Sequence, residues 1–222
     1  MPHRKSLTAT WRANFLKHWL ALLAPLQLLL SAQSHLGAAA EPVWKSGAEL
    51  DGQLESLAGI RWGSNPLRAA LTNLSRHHEV AIFLDRRVDP DQTIDLVIAD
   101  TPLRELLQRL AGQLKLGVGQ VGSVIYLGPP PTAAVLGTVA ALQEEQEQGL
   151  PSAVRSRLRR MQPLRWPELA TPRDLIQSLA DEAGLRVEGL EQIPHDLWPE
   201  VDLPPLTFAQ SLSLILAGFE LT

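Results

Sequence analysis

Between residues 65 and 127 the spacing of apolar positions switches between a helical and an extended period, and each switch marks an element. Leu67, Ala70, Leu71 and Leu74 fall at i, i+3, i+4 and i+7, which predicts an amphipathic helix opened by Asn65 as N-cap and Pro66 at the first position. Val80, Ile82 and Leu84 then alternate as a short strand. Asp89-Pro90-Asp91 supplies a turn, and Ile94, Leu96 and Ile98 alternate again. Thr101-Pro102 repeats the cap-then-proline opening ahead of Leu103, Leu106, Leu107, Leu110 and Leu114, a second amphipathic helix. Val118, Val121 and Val124-Ile125-Tyr126-Leu127, around Gly122-Ser123, predict a closing hairpin that stops at Gly128 and the Pro129-Pro130-Pro131 run. The expected layer is a small sheet with both helices on one face.

The pattern recurs. A shift of 105 positions carries Leu74 onto Leu179, Val80 onto Leu185, Ile82 onto Val187, Leu96 onto Val201, Ile98 onto Leu203, Leu103 onto Phe208, Leu107 onto Leu212 and Leu110 onto Ile215 without a gap. Trp62 finds its counterpart in Trp166, each about one turn ahead of a capped helix. The order of Leu-x-x-Leu in a first helix, an apolar strand ending in Asp85, a strand before Thr101-Pro102-Leu103, a leucine-rich helix and a closing Val124-Ile125-Tyr126-Leu127 resembles the short N-terminal (STN) domain shared by secretins and TonB-dependent receptors. Residues 65–131 resemble a full copy and residues 163–222 a weaker one lacking the last strands. The resemblance implies a periplasmic interaction module with no catalytic residues. The expected fold class is α+β, two tandem small units, each a short sheet covered by two helices, joined by a helical hairpin.

That hairpin is expected over residues 132–162. Val135, Leu136, Val139 and Leu142 predict the apolar side of an arm ending in Glu144, Glu145 and Glu147; a second arm carries Arg155, Arg157, Arg159 and Arg160, set to face those acids. In the second copy Thr171-Pro172-Arg173-Asp174 and Thr207 with Gln210 are capping-box patterns. Residues 41–64, with Leu50, Leu54, Leu57 and Ile60, give a partial helical stripe leading into the first unit.

Composition changes the picture at the N-terminus. Residues 1–40 hold Arg4, Lys5, Arg12 and Lys17 with no acid, an apolar stretch from Trp19 to Ala32, and Ala38-Ala39-Ala40 before Glu41, the pattern of a cleaved secretory signal peptide. The apolar stretch, about 14 residues interrupted by Pro25 and Gln27, is short of the roughly 20 that span a bilayer, so no stable membrane span is expected after cleavage. The chain carries 20 basic and 24 acidic residues; without the four leader cations the balance is 16 against 24, net −8, which argues against nucleic acid as a partner. There is no cysteine, hence no disulfide and no thiolate metal site.

Little in the sequence points to catalysis. Asp85, Asp89 and Asp91 lack the glycine and distal glutamate of a calcium loop and are expected in a turn. His77 and His78 are adjacent on a helix and diverge by about 100°, which does not suit a shared metal. The richest polar and aromatic group is His195, Asp196 and Trp198, with Trp62, expected to pack on the first unit, as a further candidate; these four are the expected partner-binding residues, and no catalytic, cofactor or metal residues are expected. The reading is an exported, non-catalytic module of the periplasm or cell envelope that binds a protein partner. The alternative is a cell-wall or glycan-binding protein using the same aromatic residues.

Overall fold

The computed structural model describes residues 43–219, so the expected leader and cleavage site lie outside the described residues. The fold is α+β, and the described residues belong to one compact unit. Among them, no helix is long and apolar enough to cross a membrane.

The first copy begins earlier than the sequence pattern suggests. Helix α1 (Gly47–Glu55) buries Leu50 and Leu54, but the stripe does not continue: β1 (Leu57–Pro66) follows, with Ala58, Ile60 and Trp62 turned inward at period two. Ser56 ends the helix: its backbone turns extended, and its N–H and hydroxyl both donate to the Gln53 carbonyl. After β1 come α2 (Leu67–His78), β2 (Ala81–Leu84), β3 (Thr93–Pro102), α3 (Leu103–Gln113), β4 (Gly117–Val121) and β5 (Val124–Gly128).

These strands form two sheets rather than one. β1 pairs antiparallel with β3, while β2, β5 and β4 form a three-stranded sheet in which β2 runs parallel to β5. The strands flanking Asp89-Pro90-Asp91 therefore do not pair with each other. Helices α2 and α3 lie between the sheets: Leu74, Leu103, Leu106 and Leu107 share a core with Ala58, Ile60 and Ile98 on one side and Ile125 on the other. The second sheet is covered on both faces, and every residue of β5 is buried. Ile82 and Ile125 point to the helices, whereas Ala81, Phe83, Val124 and Tyr126 point away from them into another core.

The proline run does not separate the copies. Pro130 starts α4 (Pro130–Gln146), preset for a first turn whose amides need no helical partner. Its inward face is Ala133, Leu136 and Ala140; Val135 and Leu142 are half-exposed, contrary to the expected stripe. Small residues decide this. A Cβ on Gly119 of β4 would lie 2.6 Å from the Ala133 carbonyl oxygen, and one on Gly137 of α4 would lie 2.6 Å from that of Gln120, so helix and strand approach backbone to backbone.

The second copy consists of α5 (Ser152–Leu158), β6 (Gln162–Trp166), α6 (Pro172–Ala183), β7 (Val201–Leu206) and α7 (Phe208–Ala217). The expected hairpin arm is thus the counterpart of α1, with Val154 and Leu158 at the places of Leu50 and Leu54, a shift of 104 that also carries Trp62 to Trp166. Of its four arginines, Arg159 reaches the acidic side, 3.5 Å from Glu147 and 3.2 Å from the Glu144 carbonyl; Arg155 donates to the Gln148 carbonyl. Pairing is conserved between copies: Ala58↔Thr101, Ile60↔Ile98, Arg61↔Val97 and Trp62↔Leu96 recur as Gln162↔Leu206, Leu164↔Leu203, Arg165↔Asp202 and Trp166↔Val201, with an irregularity at the same place. The helix ends match as well. Glu79 and Gly184 are left-handed C-caps, followed by Val80 N–H donating to Ser75 O and Leu185 N–H to Ala180 O.

The caps divide by copy. Thr171 and Thr207 accept from Asp174 N and Gln210 N as expected. Asn65 and Thr101 do not cap: Asn65 accepts from Gly63 N, Thr101 donates to Ala99 O, and the first amides of α2 and α3 go to Gln92, Pro90 and Ser56 carbonyls. In each case the proline occupies the cap position and pushes the preceding polar residue one place too far out.

One expected strand is absent. Leu185 and Val187 lie in an unpaired segment, and the positions answering β4 and β5 fall outside the described residues. Instead the second copy packs on the far face of the first copy's three-stranded sheet. Phe83, Val121, Val124 and Tyr126 share one core with Trp166, Ile176, Leu203, Leu206, Leu214 and Ile215.

Candidate functional site

The densest polar group lies where the two copies meet, built by the turn after β2. Asp85 ends that strand almost fully buried, 1% exposed. Arg87 folds back on it with Nε 2.9 Å from Oδ1 and a terminal nitrogen 2.9 Å from Oδ2, and the Tyr126 hydroxyl donates to Oδ2. The same guanidinium donates to the Ala217 carbonyl at 2.9 Å and to Thr132 Oγ1 at 3.1 Å. Arg86 reaches the same helix end, 3.4 Å from the Gly218 carbonyl, with Nε 2.5 Å from Asp196 Oδ2 and its charge 4.9 Å above the Phe219 ring. Two adjacent arginines of the first copy thus meet the carbonyls and the negative dipole end of α7 in the second.

An aromatic ladder runs behind them. Tyr126 stacks on Phe83, Phe83 meets Trp166 edge-on, Trp166 tilts on Trp198 at 5.6 Å, and Trp198 lies parallel to Phe219 at 5.9 Å. The indole N–H groups are paired, Trp166 to the Pro199 carbonyl and Trp198 to Asp196 Oδ2.

The electrostatics lock the protonation states. Burial alone would raise the Asp85 carboxyl, but hydrogen bonds from Arg87 and Tyr126 outweigh it and hold it below the usual range. Asp196 shows the same balance, burial outweighed by Arg86 and Trp198. Burial and then the Asp85 hydrogen bond push the Tyr126 phenol up, and the Asp85 hydrogen bond is the main cause of a raised Arg87. Each of these shifts leads away from neutrality, so the cluster is arranged to hold charge in place rather than to move a proton.

The four expected partner-binding residues do not form one site. Trp198 is buried and Asp196 is engaged in the clamp, while the adjacent His195 is exposed. Trp62 is half-buried against the helices of the first copy, in different cores from Trp198. Asp89 and Asp91 do form the expected turn, Asp89 Oδ1 accepting from Asp91 N. Asp85 also opens a turn, its carbonyl accepting from Val88 N and its Oδ1 from Arg87 N, and it carries a further role not expected, that of a buried ion-pair partner. Its signal was an acid at the end of an apolar strand followed directly by Arg86-Arg87. Of the adjacent histidines, His78 is buried and accepts at Nδ1 from Gln53; burial first, then His77 and Lys45, push its pKa down. Among the described residues no group of three His, Asp or Glu side chains suited to a metal is found.

Comparison with protein-family models, with curated proteins and with solved structures finds no match to this chain.

Proposed function

We propose that this chain is an exported, non-catalytic protein-interaction module of the bacterial cell envelope, of the kind that STN domains provide in secretion or in transport and signalling assemblies. The observation that carries the reading is that the richest ionisable cluster is consumed internally, joining two copies of a sheet-and-helix unit into one body. A rigid, duplicated scaffold with its charges spent on its own assembly leaves its outer surface as the part that acts. The leader sequence supports export. The cell-wall alternative draws on Trp198, His195 and Trp62; burial of the Trp198 ring at 4% exposure leaves a sugar no face to stack on there, and Trp62 packs in a different core.

Affinity capture from envelope extract with the mature chain, run beside sedimentation with purified cell wall, tests the proposal. The expected outcome is a specific, salt-resistant protein partner and a chain that stays in the wall supernatant. Sedimentation with the wall in the absence of any captured protein refutes it.

A further inference from the structure

The equivalence of the two copies singles out one groove that is closed in the first and open in the second. In the first copy the junction of α1 and α2 is filled by Gln53, Ser56 and His78. Gln53 Nε2 donates to Ser56 Oγ at 2.9 Å and to His78 Nδ1 at 3.1 Å, and Lys45 Nζ donates to Gln53 Oε1 at 2.5 Å. Each polar side chain answers another, and the imidazole is buried.

In the second copy the same three positions hold Arg157, Arg160 and Ala183, by the shifts that superpose Trp62 on Trp166 and Leu74 on Leu179. A methyl stands where the ring stood, and two guanidinium groups replace the neutral pair. Neither makes a hydrogen bond or an ion pair among the described residues. They line a groove floored by Leu179, Leu206 and Phe208. Arg157 extends over Gly184 at the carboxyl end of α6, and Glu182 stands at the rim, so the two cations face one carboxylate. On a mature chain of net negative charge this is a local excess of positive charge beside apolar surface.

We propose that this groove receives an acidic segment of a protein partner, a carboxylate held by Arg157 and Arg160 and an adjacent apolar side chain lying against Leu179 and Phe208. The proposal rests on the interaction-module reading and names its contact surface. A guanidinium fork matches a carboxylate, and the apolar floor gives a peptide side chain a seat that a free inorganic anion has no use for.

The test uses a fluorescein-labelled, end-capped peptide of alternating Glu and Leu, followed by anisotropy against the mature chain, with an alternating Lys and Leu peptide as the control. The triple variant Arg157→Gln, Arg160→Ser, Ala183→His transplants the first copy's closure into the second. The expected result is saturable binding that the triple variant weakens by about tenfold or more, with the Lys peptide inert and millimolar phosphate a poor competitor. Arg160→Ser alone, at an exposed position, is expected to weaken binding measurably and covers the case in which the triple variant melts early. Equal binding by wild type and variants, no saturable binding, displacement by phosphate alone, or a preference for anionic vesicles overturns the proposal. An envelope protein captured equally well by wild type and triple variant overturns the groove and leaves the interaction reading standing; loss of that protein from the variant supports both.

Discussion

Replacing Arg87 by Met isolates what the clamp contributes. The Asp85 carboxylate is 1% exposed and takes two hydrogen bonds from this guanidinium, so the variant leaves a buried charge with only Tyr126 and the Arg87 backbone amide to answer it. Removing one partner of such a pair costs about 3–5 kcal/mol, and the part-exposure of the Arg87 side chain, 21%, points to the lower end. For a domain of this size a loss of about 3 kcal/mol lowers the melting temperature by roughly 6–12 °C. The pH dependence gives an independent check. In the wild type the Asp85 pKa is depressed, so its stabilisation is present above the ordinary carboxylate value of about 3.9 and is lost as pH falls through the lower folded value. In the variant, burial is no longer outweighed and the folded pKa rises above the unfolded one. The deficit is then largest at neutral pH and shrinks on acidification as Asp85 takes up a proton. Urea melts at pH 7 and pH 5 read both effects, and Asp85→Asn added to Arg87→Met is expected to recover part of the loss. A deficit below about 1 kcal/mol, or one that is the same at both pH values, refutes the account of Asp85 as a buried charge held by Arg87.

Trp198→Ala is expected to cost about 3–5 kcal/mol through lost packing on Trp166 and Phe219; a thermal melt superposing on the wild type would show that the ring is not a core residue. Gly137→Val forces a side chain against the Gln120 carbonyl and is expected to destabilise by about 1–3 kcal/mol, read by chemical denaturation, whereas Gly52→Ala, with open space around it, is expected to be neutral or stabilising. A fragment of residues 150–222 alone is expected to show no cooperative melt by circular dichroism and to gain one on mixing with residues 41–149.

Much of the fold was legible because it is written in period. The α2 and α3 stripes and the caps at Thr171 and Thr207 rest on spacings that survive packing. Sheet partners were not legible, because alternation in Val80, Ile82 and Leu84 says which residues share a face and nothing about which strand lies alongside. The stripe through Leu50, Leu54 and Leu57 misled for a related reason: three residues fit a helix and a helix-to-strand change equally well, and only the inward Ala58 and Ile60 distinguish them. The clamp was hidden by sequence distance, since Arg86 and Asp196 are joined only once both copies are in place. Leu212, matched to the fully buried Leu107, turns out half-buried, while Leu110 and Ile215 are equivalent and completely enclosed.

The shared sheet explains how the second half keeps the strand register of the first without a strand at Leu185 to Val187. In the first copy α2 and α3 need cover on two sides, which β1 with β3 and the three-stranded sheet supply. In the second, β6 with β7 supplies one side, and the far face of the same three-stranded sheet, together with α4, supplies the other. A sheet with two apolar faces serves two helical layers. This is why Phe83 and Tyr126, which would be solvent-facing in an isolated first unit, are large, aromatic and buried, and why Arg86 and Arg87 sit at the end of β2, the strand that carries Phe83 into the second core. The two halves share a common middle layer, and their outward surfaces differ, as the polar junction at His78 and the arginine-lined groove at Ala183 show.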